Sequence, residues 1–203
     1  MPILTLHCAV WQVKLAVWGK SQYGGMALSQ LSRNSSHNIG MLVVGEEGGL
    51  EKTRNLARKY QILDKVTFTG TVPYTQIPKY ISCMDVCLLP YKAGALFADA
   101  ALPLKLFEYM ACGKPVISSK LTGAPPAFSG KILYASSERE YRDRLMALYS
   151  DRELRQKMGM EGRKLVEQSY NWPEITLRLE RMLDIVSKPN LDIPEHRRAN
   201  ASK

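Results

Sequence analysis

One carboxylate stands inside an otherwise apolar helical pattern near the middle of the chain. The segment PLKLFEYMACG runs from Pro103 to Gly113 and directly precedes KPVISS, which has the composition of a buried strand. Pro103 is typical of a helix start and Gly113 of a left-handed C-cap, so Glu108 is predicted in mid-helix. A carboxylate there can accept two hydrogen bonds from the hydroxyls of a ribose. The alternative is an i,i+3 ion pair with Lys105 on the same helix face.

A glycine-rich turn is the second candidate site. The stretch VVGEEGGLEK follows an apolar strand pattern and precedes a helical one. Turns of this kind present backbone N–H groups to a ligand at the carboxyl edge of a parallel sheet, which makes Gly45 a candidate. Gly45, Gly48 and Gly49 could equally serve only a tight strand-to-helix turn. Neither GxGxxG after the first strand nor GxxxxGK[ST] occurs, so nicotinamide-dinucleotide and Walker-type sites lose their main sequence support.

The elements that must position these residues alternate along the chain. Helical patterns separate six short β-rich runs: LAVW (15–18), GMLVVG (40–45), KVTFTG (65–70), DVCLLP (85–90), KPVISS (114–119) and KILYA (131–135). Unbroken apolar strands with helices between them are what a parallel sheet covered on both faces requires. The sequence therefore predicts an α/β fold with a doubly wound, Rossmann-like parallel sheet. From Ser136 onward the pattern is helical and charged, which indicates that this part supports the fold and contributes no catalytic residues.

Composition limits the classes of protein that the chain can be. Its 203 residues are 45% hydrophobic, and 28 Lys+Arg against 19 Asp+Glu give a formal charge of +9. This excess suggests a surface that meets phosphates, nucleic acid or an anionic membrane, with a solvated basic face as the alternative. The four cysteines lack metal-site spacing and are expected to be buried, reduced thiols. Without a membrane span or a signal-peptide pattern, we expect a cytoplasmic protein, soluble or peripheral at the membrane.

Four sequence blocks together resemble the nucleotide-sugar-binding half of the GT-B glycosyltransferases, in particular the glycosyltransferase 4 group (glycosyl transferases group 1). The blocks are NIGMLVVGEEGG, DKVTFTGTVPYTQIPKYISCMDVCLLPY, PLKLFEYMACGKPVISSKLTGAP and DRELRQKMGMEGRKLVEQSYNWPEI. Their order and spacing are more specific than any one block. The resemblance implies the C-terminal half of a GT-B fold: residues 1–37 an atypical start with the first strand, 38–187 the nucleotide-sugar-binding domain with its closing helix, and 188–203 a disordered tail.

The resemblance also assigns roles to single residues. Glu108 matches the glutamate that holds the ribose hydroxyls of the nucleotide. The loop matching FTGTVP implies recognition of the base by backbone groups of Thr69, Gly70, Thr71 and Val72. The loop before the Glu108 helix implies backbone N–H groups near the diphosphate and the sugar, from a segment of Ala101, Leu102, Pro103, Leu104 and Lys105. Pro103 itself offers no N–H, so the donor there must be a neighbour.

The chain departs from the family pattern at two points. Ala100, with Asp99 beside it, stands eight residues before Glu108, where the family often has a second, sugar-contacting glutamate. The family usually has two cations at its phosphate clamp, whereas this sequence offers Lys20. We expect Lys20 to offset the charge that develops on the departing diphosphate. No Asp-x-Asp occurs, so the resemblance implies metal-independent transfer without a cofactor.

The function that the resemblance implies is transfer of a sugar from a nucleoside-diphosphate sugar to an unknown acceptor, saccharide or lipid-linked, with retention of configuration. A complete GT-B enzyme also has an N-terminal acceptor-binding domain, so we expect this donor-binding half to work with such a domain or subunit. The closing helix around Ile175, Leu179 and Met182 would then expose an apolar stripe. The alternative is a non-catalytic nucleotide-sugar-binding or scaffolding module, favoured by Ala100, the reduced clamp and the missing half.

A basic nucleic-acid-binding domain is a third hypothesis, and the weakest. The arginines that could provide its electrostatic face are Arg139, Arg142, Arg144, Arg152, Arg155 and Arg163. They alternate with Glu and Asp, and no aromatic stacking series accompanies them, so we expect no nucleic-acid partner. The same arginines leave open a peripheral contact with an anionic membrane surface.

Overall fold

One parallel sheet organises the computed structural model, which describes residues 13–18 (backbone), 39–45, 50–90 and 102–187. Its six strands lie in the order β3-β2-β1-β4-β5-β6. They are β1 Val13–Trp18, β2 Ile39–Val44, β3 Val66–Phe68, β4 Val86–Leu89, β5 Val116–Ser118 and β6 Ile132–Tyr134. All six predicted strands are present with ends within two residues of those predicted. This strand order is that of a doubly wound sheet, so the predicted fold class is confirmed.

Helices connect the strands and complete the described part of the chain. They are α1 Leu50–Lys59, α2 Ile77–Ser82, α3 Leu104–Ala111, α4 Glu138–Ser150, α5 Arg152–Ser169 and α6 Trp172–Ser187. Three-residue 3-10 turns lie at Leu63–Lys65, Tyr74–Gln76 and Pro126–Phe128. None of the described helices combines the length and the apolar composition that a bilayer crossing requires.

Both faces of the sheet are covered. All six residues of β2 and all four of β4 are buried, and successive strand residues point to opposite faces. One cluster joins alternate strand residues to α1 and α4: Met41, Val43, Val86, Leu88, Ala57, Tyr141, Leu145 and Leu148. Helix α3 packs against β4 and β5 and buries Leu106, Tyr109 and Met110, which do not belong to that cluster. This helix therefore covers the other face of the sheet. The apolar runs in the sequence reflect this two-sided burial.

The chain divides into two compact units, residues 1–166 and 167–203. The first contains the sheet, α1 to α4 and most of α5. The second contains α6, which begins at an N-cap where the Glu174 N–H donates to Asn171 Oδ1 at 2.9 Å. In α6, Ile175 is 40%, Leu179 54% and Met182 64% exposed, so the predicted apolar stripe is confirmed. The predicted tail, residues 188–203, lies outside the described residues.

The three described cysteines differ in exposure. Cys87 is buried, Cys112 is half-buried and Cys83 is exposed, and all three are free thiols. Burial raises the pKa of both the Cys87 and the Cys112 thiol. The prediction of buried, reduced thiols is therefore right for Cys87 and wrong for Cys83, because Cys83 is the C-cap of α2 at the surface. Cys8 lies outside the described residues.

Helix α3 passes into β5 through a tight Schellman motif. Gly113 has φ +67°, its N–H donates to the Met110 carbonyl at 2.8 Å, and the Lys114 N–H donates to the Tyr109 carbonyl at 3.0 Å. Helix α5 lies directly against this turn, because a Cβ built on Gly159 would overlap the Gly113 carbonyl. The predicted cap is confirmed, and it packs against a second glycine.

Substitution of Gly159 tests this contact. Alanine is the better helix former by about 0.5–1 kcal/mol, yet Gly159→Ala should lower the free energy of unfolding by about 1–3 kcal/mol, because its methyl group overpacks the joint. Urea unfolding of the full chain measures the change. The matched control is Met160→Ala on the same helix, where the side chain is 67% exposed and the expected change is within about 0.5 kcal/mol. A Gly159→Ala variant as stable as its parent would contradict the packing.

Candidate nucleotide-binding site

The candidate residues collect at the carboxyl edge of the sheet. In a parallel sheet each connecting helix starts at this edge, and ligands bind where the winding direction reverses. That reversal lies between β1 and β4, which are neighbours in the sheet. The predicted positions Lys20, Ala100 and Ala101 lie outside the described residues.

Two predicted site residues, Gly45 and Gly70, meet at the ends of β2 and β3. The Gly45 N–H donates to the Gly70 carbonyl at 3.0 Å, and the Thr69 hydroxyl donates to the same carbonyl at 2.8 Å. Both glycines have positive φ, +108° and +67°, a backbone conformation that side-chain-bearing residues rarely adopt. The Gly45 N–H thus joins the two loops. This agrees with the alternative that the glycine serves the turn after the strand and not a ligand. A ligand contact by Gly45 stays a prediction.

The loop that follows β3 leads from the predicted base site into α2. Thr71 is exposed, Val72 is half-buried, and Pro73 holds the chain at φ −56° before the 3-10 turn that begins with Tyr74. Ile77 and Ile81 of α2 are buried and anchor the end of the loop. The backbone of residues 69–72 therefore lies between the end of β3 and a short helix that is anchored by its two buried isoleucines.

Glu108 faces this loop from α3. Its side chain is half-buried, and its Oε1 lies 3.5 Å from the Tyr74 hydroxyl, across 34 residues of sequence. The structure thereby brings the predicted ribose residue to the predicted base-binding loop. Tyr74 is not among the residues predicted from the sequence, although its aromatic side chain within the FTGTVPYT block is a visible signal.

The start of α3 has the predicted composition. Pro103 is the N-cap, with φ −64° and ψ 134°, so the first helical N–H groups belong to Leu104 and Lys105, as the missing Pro103 donor requires. Leu104 is 67% exposed, whereas Leu102 and Lys105 are half-buried. A helix N-terminus favours an anion, which is compatible with the predicted diphosphate contact. That contact stays a prediction.

A second link fixes α2 beside α3. The Lys114 ammonium donates to the Ser82 carbonyl at 2.9 Å, at the C-terminal end of α2. The first link joins Tyr74, in the 3-10 turn before α2, to Glu108 in the middle of α3. Two side-chain hydrogen bonds therefore link the segment around α2 to the segment around α3, and one of them is made by Glu108 itself.

The end of β5 is tied to its neighbours by hydroxyl groups. The fully buried Ser118 hydroxyl donates to the Leu89 carbonyl at 3.1 Å, and the Ser119 N–H donates to the same carbonyl at 3.2 Å. The Ser119 and Tyr141 hydroxyls are 3.1 Å apart. Burial raises the pKa of Tyr141 to about 12, although the hydrogen bond with Ser119 opposes the rise. These bonds hold the end of β5 to the end of β4, which is one of the two strands at the switch point.

The raised pKa of Tyr141 gives stability a pH dependence. Between pH 10 and 12 the phenol loses its proton in the unfolded chain before it does so in the folded one, so the folded state loses relative stability as pH rises. From pH 9 to 11, the parent should lose about 1 kcal/mol more of its unfolding free energy than Tyr141→Phe, in which this titration is absent. Urea unfolding of both chains at the two pH values measures the difference. Equal losses would contradict the buried phenol.

The candidate nucleic-acid face makes contacts within the fold. Arg139 and Arg142 lie 3.8 and 3.5 Å from the Asp143 carboxylate. The Arg144 guanidinium donates to the Tyr134 carbonyl, and that of Arg155 donates to the carbonyls of Leu148 and Tyr149 at the end of α4. Four of the six arginines thus make contacts within the fold, which weakens the hypothesis of a dedicated nucleic-acid surface.

Comparison with known proteins decides the family. The family model described as "Glycosyl transferases group 1" matches residues 26–165. The chain belongs to this family. Over 148 residues it is 30% identical to a GDP-mannose-dependent alpha-(1-6)-phosphatidylinositol monomannoside mannosyltransferase of Mycobacterium tuberculosis, a match covering 70% of this chain. The match spans only 38% of that relative's length.

Solved structures confirm the predicted GT-B fold. The C-terminal domain of a glycosyl transferase group 1 family protein (LpcC) from Francisella tularensis superposes with a TM-score of 0.63 at 18% identity, covering 80% of this chain and 88% of that one. Anabaena Alr3699/HepE, solved in complex with UDP-glucose, gives a TM-score of 0.71 at 16% identity and covers 89% and 50%. Almost all of an isolated C-terminal domain is matched, but only half of the longer chain.

Proposed function

We propose that this chain is the donor-binding half of a glycosyltransferase that uses a nucleoside-diphosphate sugar. The observation that carries the proposal is the half-buried Glu108 carboxylate, which faces the loop after β3 at the carboxyl edge of the sheet, 3.5 Å from the Tyr74 hydroxyl. Family membership and the matching C-terminal domain support it.

Three elements of the site each bind a different part of the nucleotide. Glu108 accepts hydrogen bonds from the ribose hydroxyls, and charge makes these bonds stronger than those to a neutral acceptor. Backbone groups of residues 69–72 read the base. The first turn of α3 and Lys20 face the diphosphate, and Lys20 offsets the negative charge that develops there as the glycosidic bond breaks. Because these groups are held in fixed positions, less entropy is lost when the donor is oriented for reaction.

The sugar is then transferred to a saccharide or lipid-linked acceptor with retention of configuration, as in the glycosyltransferase 4 group. The reaction proceeds without a metal, because Lys20 and helix N-termini stabilise the diphosphate. An acceptor-binding domain or subunit completes the cleft. The M. tuberculosis relative is named as GDP-mannose-dependent, which makes GDP the first nucleotide to test.

Replacement of Glu108 tests the ribose contact. Glu108→Gln keeps the shape of the side chain but removes its charge, so the affinity for the preferred nucleoside diphosphate should fall by about 1–3 kcal/mol. Calorimetric titration of the full chain with GDP, UDP and ADP measures this. The same substitution should reduce the affinity for the matching 2′-deoxynucleotide by less, because one of the two ribose hydroxyls is already missing.

The control for this titration is Glu161→Gln, a half-buried glutamate within α5. It should leave both the affinity and the unfolding midpoint unchanged. A folded Glu108→Gln variant that binds the nucleotide as tightly as its parent would rule out the ribose role.

Lys20 has a different expected signature. Lys20→Gln should weaken nucleoside-diphosphate binding by about 1.5–3 kcal/mol, the range for hydrogen bonds to charged groups, and leave binding of the corresponding nucleoside unchanged. Added salt should reduce the difference in affinity between parent and variant, since salt screens the attraction between the lysine and the phosphates. Competition titrations with nucleoside and diphosphate at two salt concentrations measure both effects. If Lys20→Gln weakened binding of the nucleoside as much as binding of the diphosphate, Lys20 would not contact the phosphates.

The second candidate function is a non-catalytic nucleotide-sugar-binding or scaffolding module. Ala100 favours it, because this residue stands where the family often has its sugar-contacting glutamate. Separate measurements of donor binding and donor consumption distinguish the two functions. Binding with neither sugar transfer nor slow donor hydrolysis, in the presence of the acceptor-binding partner, would establish the module.

A further inference from the structure

An exposed aromatic ring stands next to the proposed ribose site. Tyr74 is 70% exposed, although it lies between the restrained Pro73 and the buried Ile77. Single exposed aromatic residues are common on protein surfaces and need no explanation by themselves. This one is distinguished by its hydroxyl, which donates toward Glu108 Oε1 at 3.5 Å. The ring therefore spans the space between the carboxylate and the loop of residues 69–73.

The geometry of a nucleoside makes this placement informative. The base is joined to the ribose by a single bond, so a ribose held at Glu108 leaves its base within a few ångströms, on the side of the loop after β3. A phenol that reaches Glu108 from that loop presents its ring to the same space. Stacking of a base on an aromatic ring is worth about 1–3 kcal/mol and tolerates different bases.

We propose that Tyr74 is a nucleoside-binding residue with two roles. Its ring packs against the base, and its hydroxyl orients the Glu108 carboxylate toward the ribose. The second is a positioning role, exerted through Glu108. The inference rests on the proposed function, since it requires a nucleotide held by Glu108.

Two substitutions separate these roles in calorimetric titrations of the full chain with the preferred nucleoside diphosphate. Tyr74→Ala removes both the ring and the hydroxyl, so it should weaken binding about 30-fold in the parent and about 10-fold in the Glu108→Gln background, where only the ring contributes. Tyr74→Phe keeps the ring and should weaken binding about 3-fold in the parent, but not in the Glu108→Gln background, where no carboxylate remains to be oriented. Pyrophosphate has neither base nor ribose, so neither substitution should change its binding.

The control is Trp172→Ala, at an aromatic residue that is 80% exposed, and it should leave nucleotide affinity unchanged. Unfolding midpoints of all variants check that the fold is intact. Unchanged affinity in Tyr74→Ala would overturn the inference, as would an equal effect of Tyr74→Phe in both backgrounds. A parent chain that binds none of the nucleotides would instead overturn the proposed function. Binding that depends on Glu108 but not on Tyr74 would overturn this inference alone.

Discussion

The arrangement of the site depends on one tight reversal of the backbone, at Gly113. Helix α3 must end, and the chain must turn and enter β5, within four residues, from Cys112 to Pro115. A left-handed residue there allows both Schellman hydrogen bonds to form, and glycine adopts that conformation without strain. Gly159 of α5 then lets a second helix backbone approach the turn as closely as van der Waals contact allows. The end of α3 is thereby fixed between a strand and a helix.

Because α3 is fixed at its C-terminal end, the positions of its other residues are also defined. Glu108 lies one turn before the Schellman motif, and its carboxylate reaches the loop that leaves β3. The Lys114 ammonium, just after Gly113, holds the far end of α2. The loop of residues 69–74 is in turn held by the Gly45–Gly70 bond and by the buried side of α2. Rigid packing on both sides is what allows a carboxylate and a loop from distant parts of the sequence to form one binding surface.

Local physics explains which features the sequence could predict. The strands of a sheet covered on both faces are buried along their whole length, so β2 and β4 appear as unbroken apolar runs between turn residues. The caps at Gly113 and Asn171 are equally local, because a few neighbouring residues set their hydrogen bonds. Glu108 was predicted in mid-helix for the same reason, although its ribose role came from the family resemblance.

The remaining features depend on contacts between distant residues. The hydrogen bond between Tyr74 and Glu108 crosses two elements and has no periodic signal. The same is true of the Gly159–Gly113 contact, since a glycine inside a helix pattern does not reveal its partner. For Gly45 the sequence left two roles open, and only the pairing of the loops shows that its N–H is used within the fold.

A crystal structure of the chain soaked with its preferred nucleoside diphosphate is the most direct test of the central claim, that Glu108 holds a ribose. The account predicts the ribose hydroxyls at about 2.5–3.0 Å from the Glu108 carboxylate oxygens, with the base beside residues 69–72. A nucleotide bound elsewhere, with Glu108 facing solvent, would contradict it.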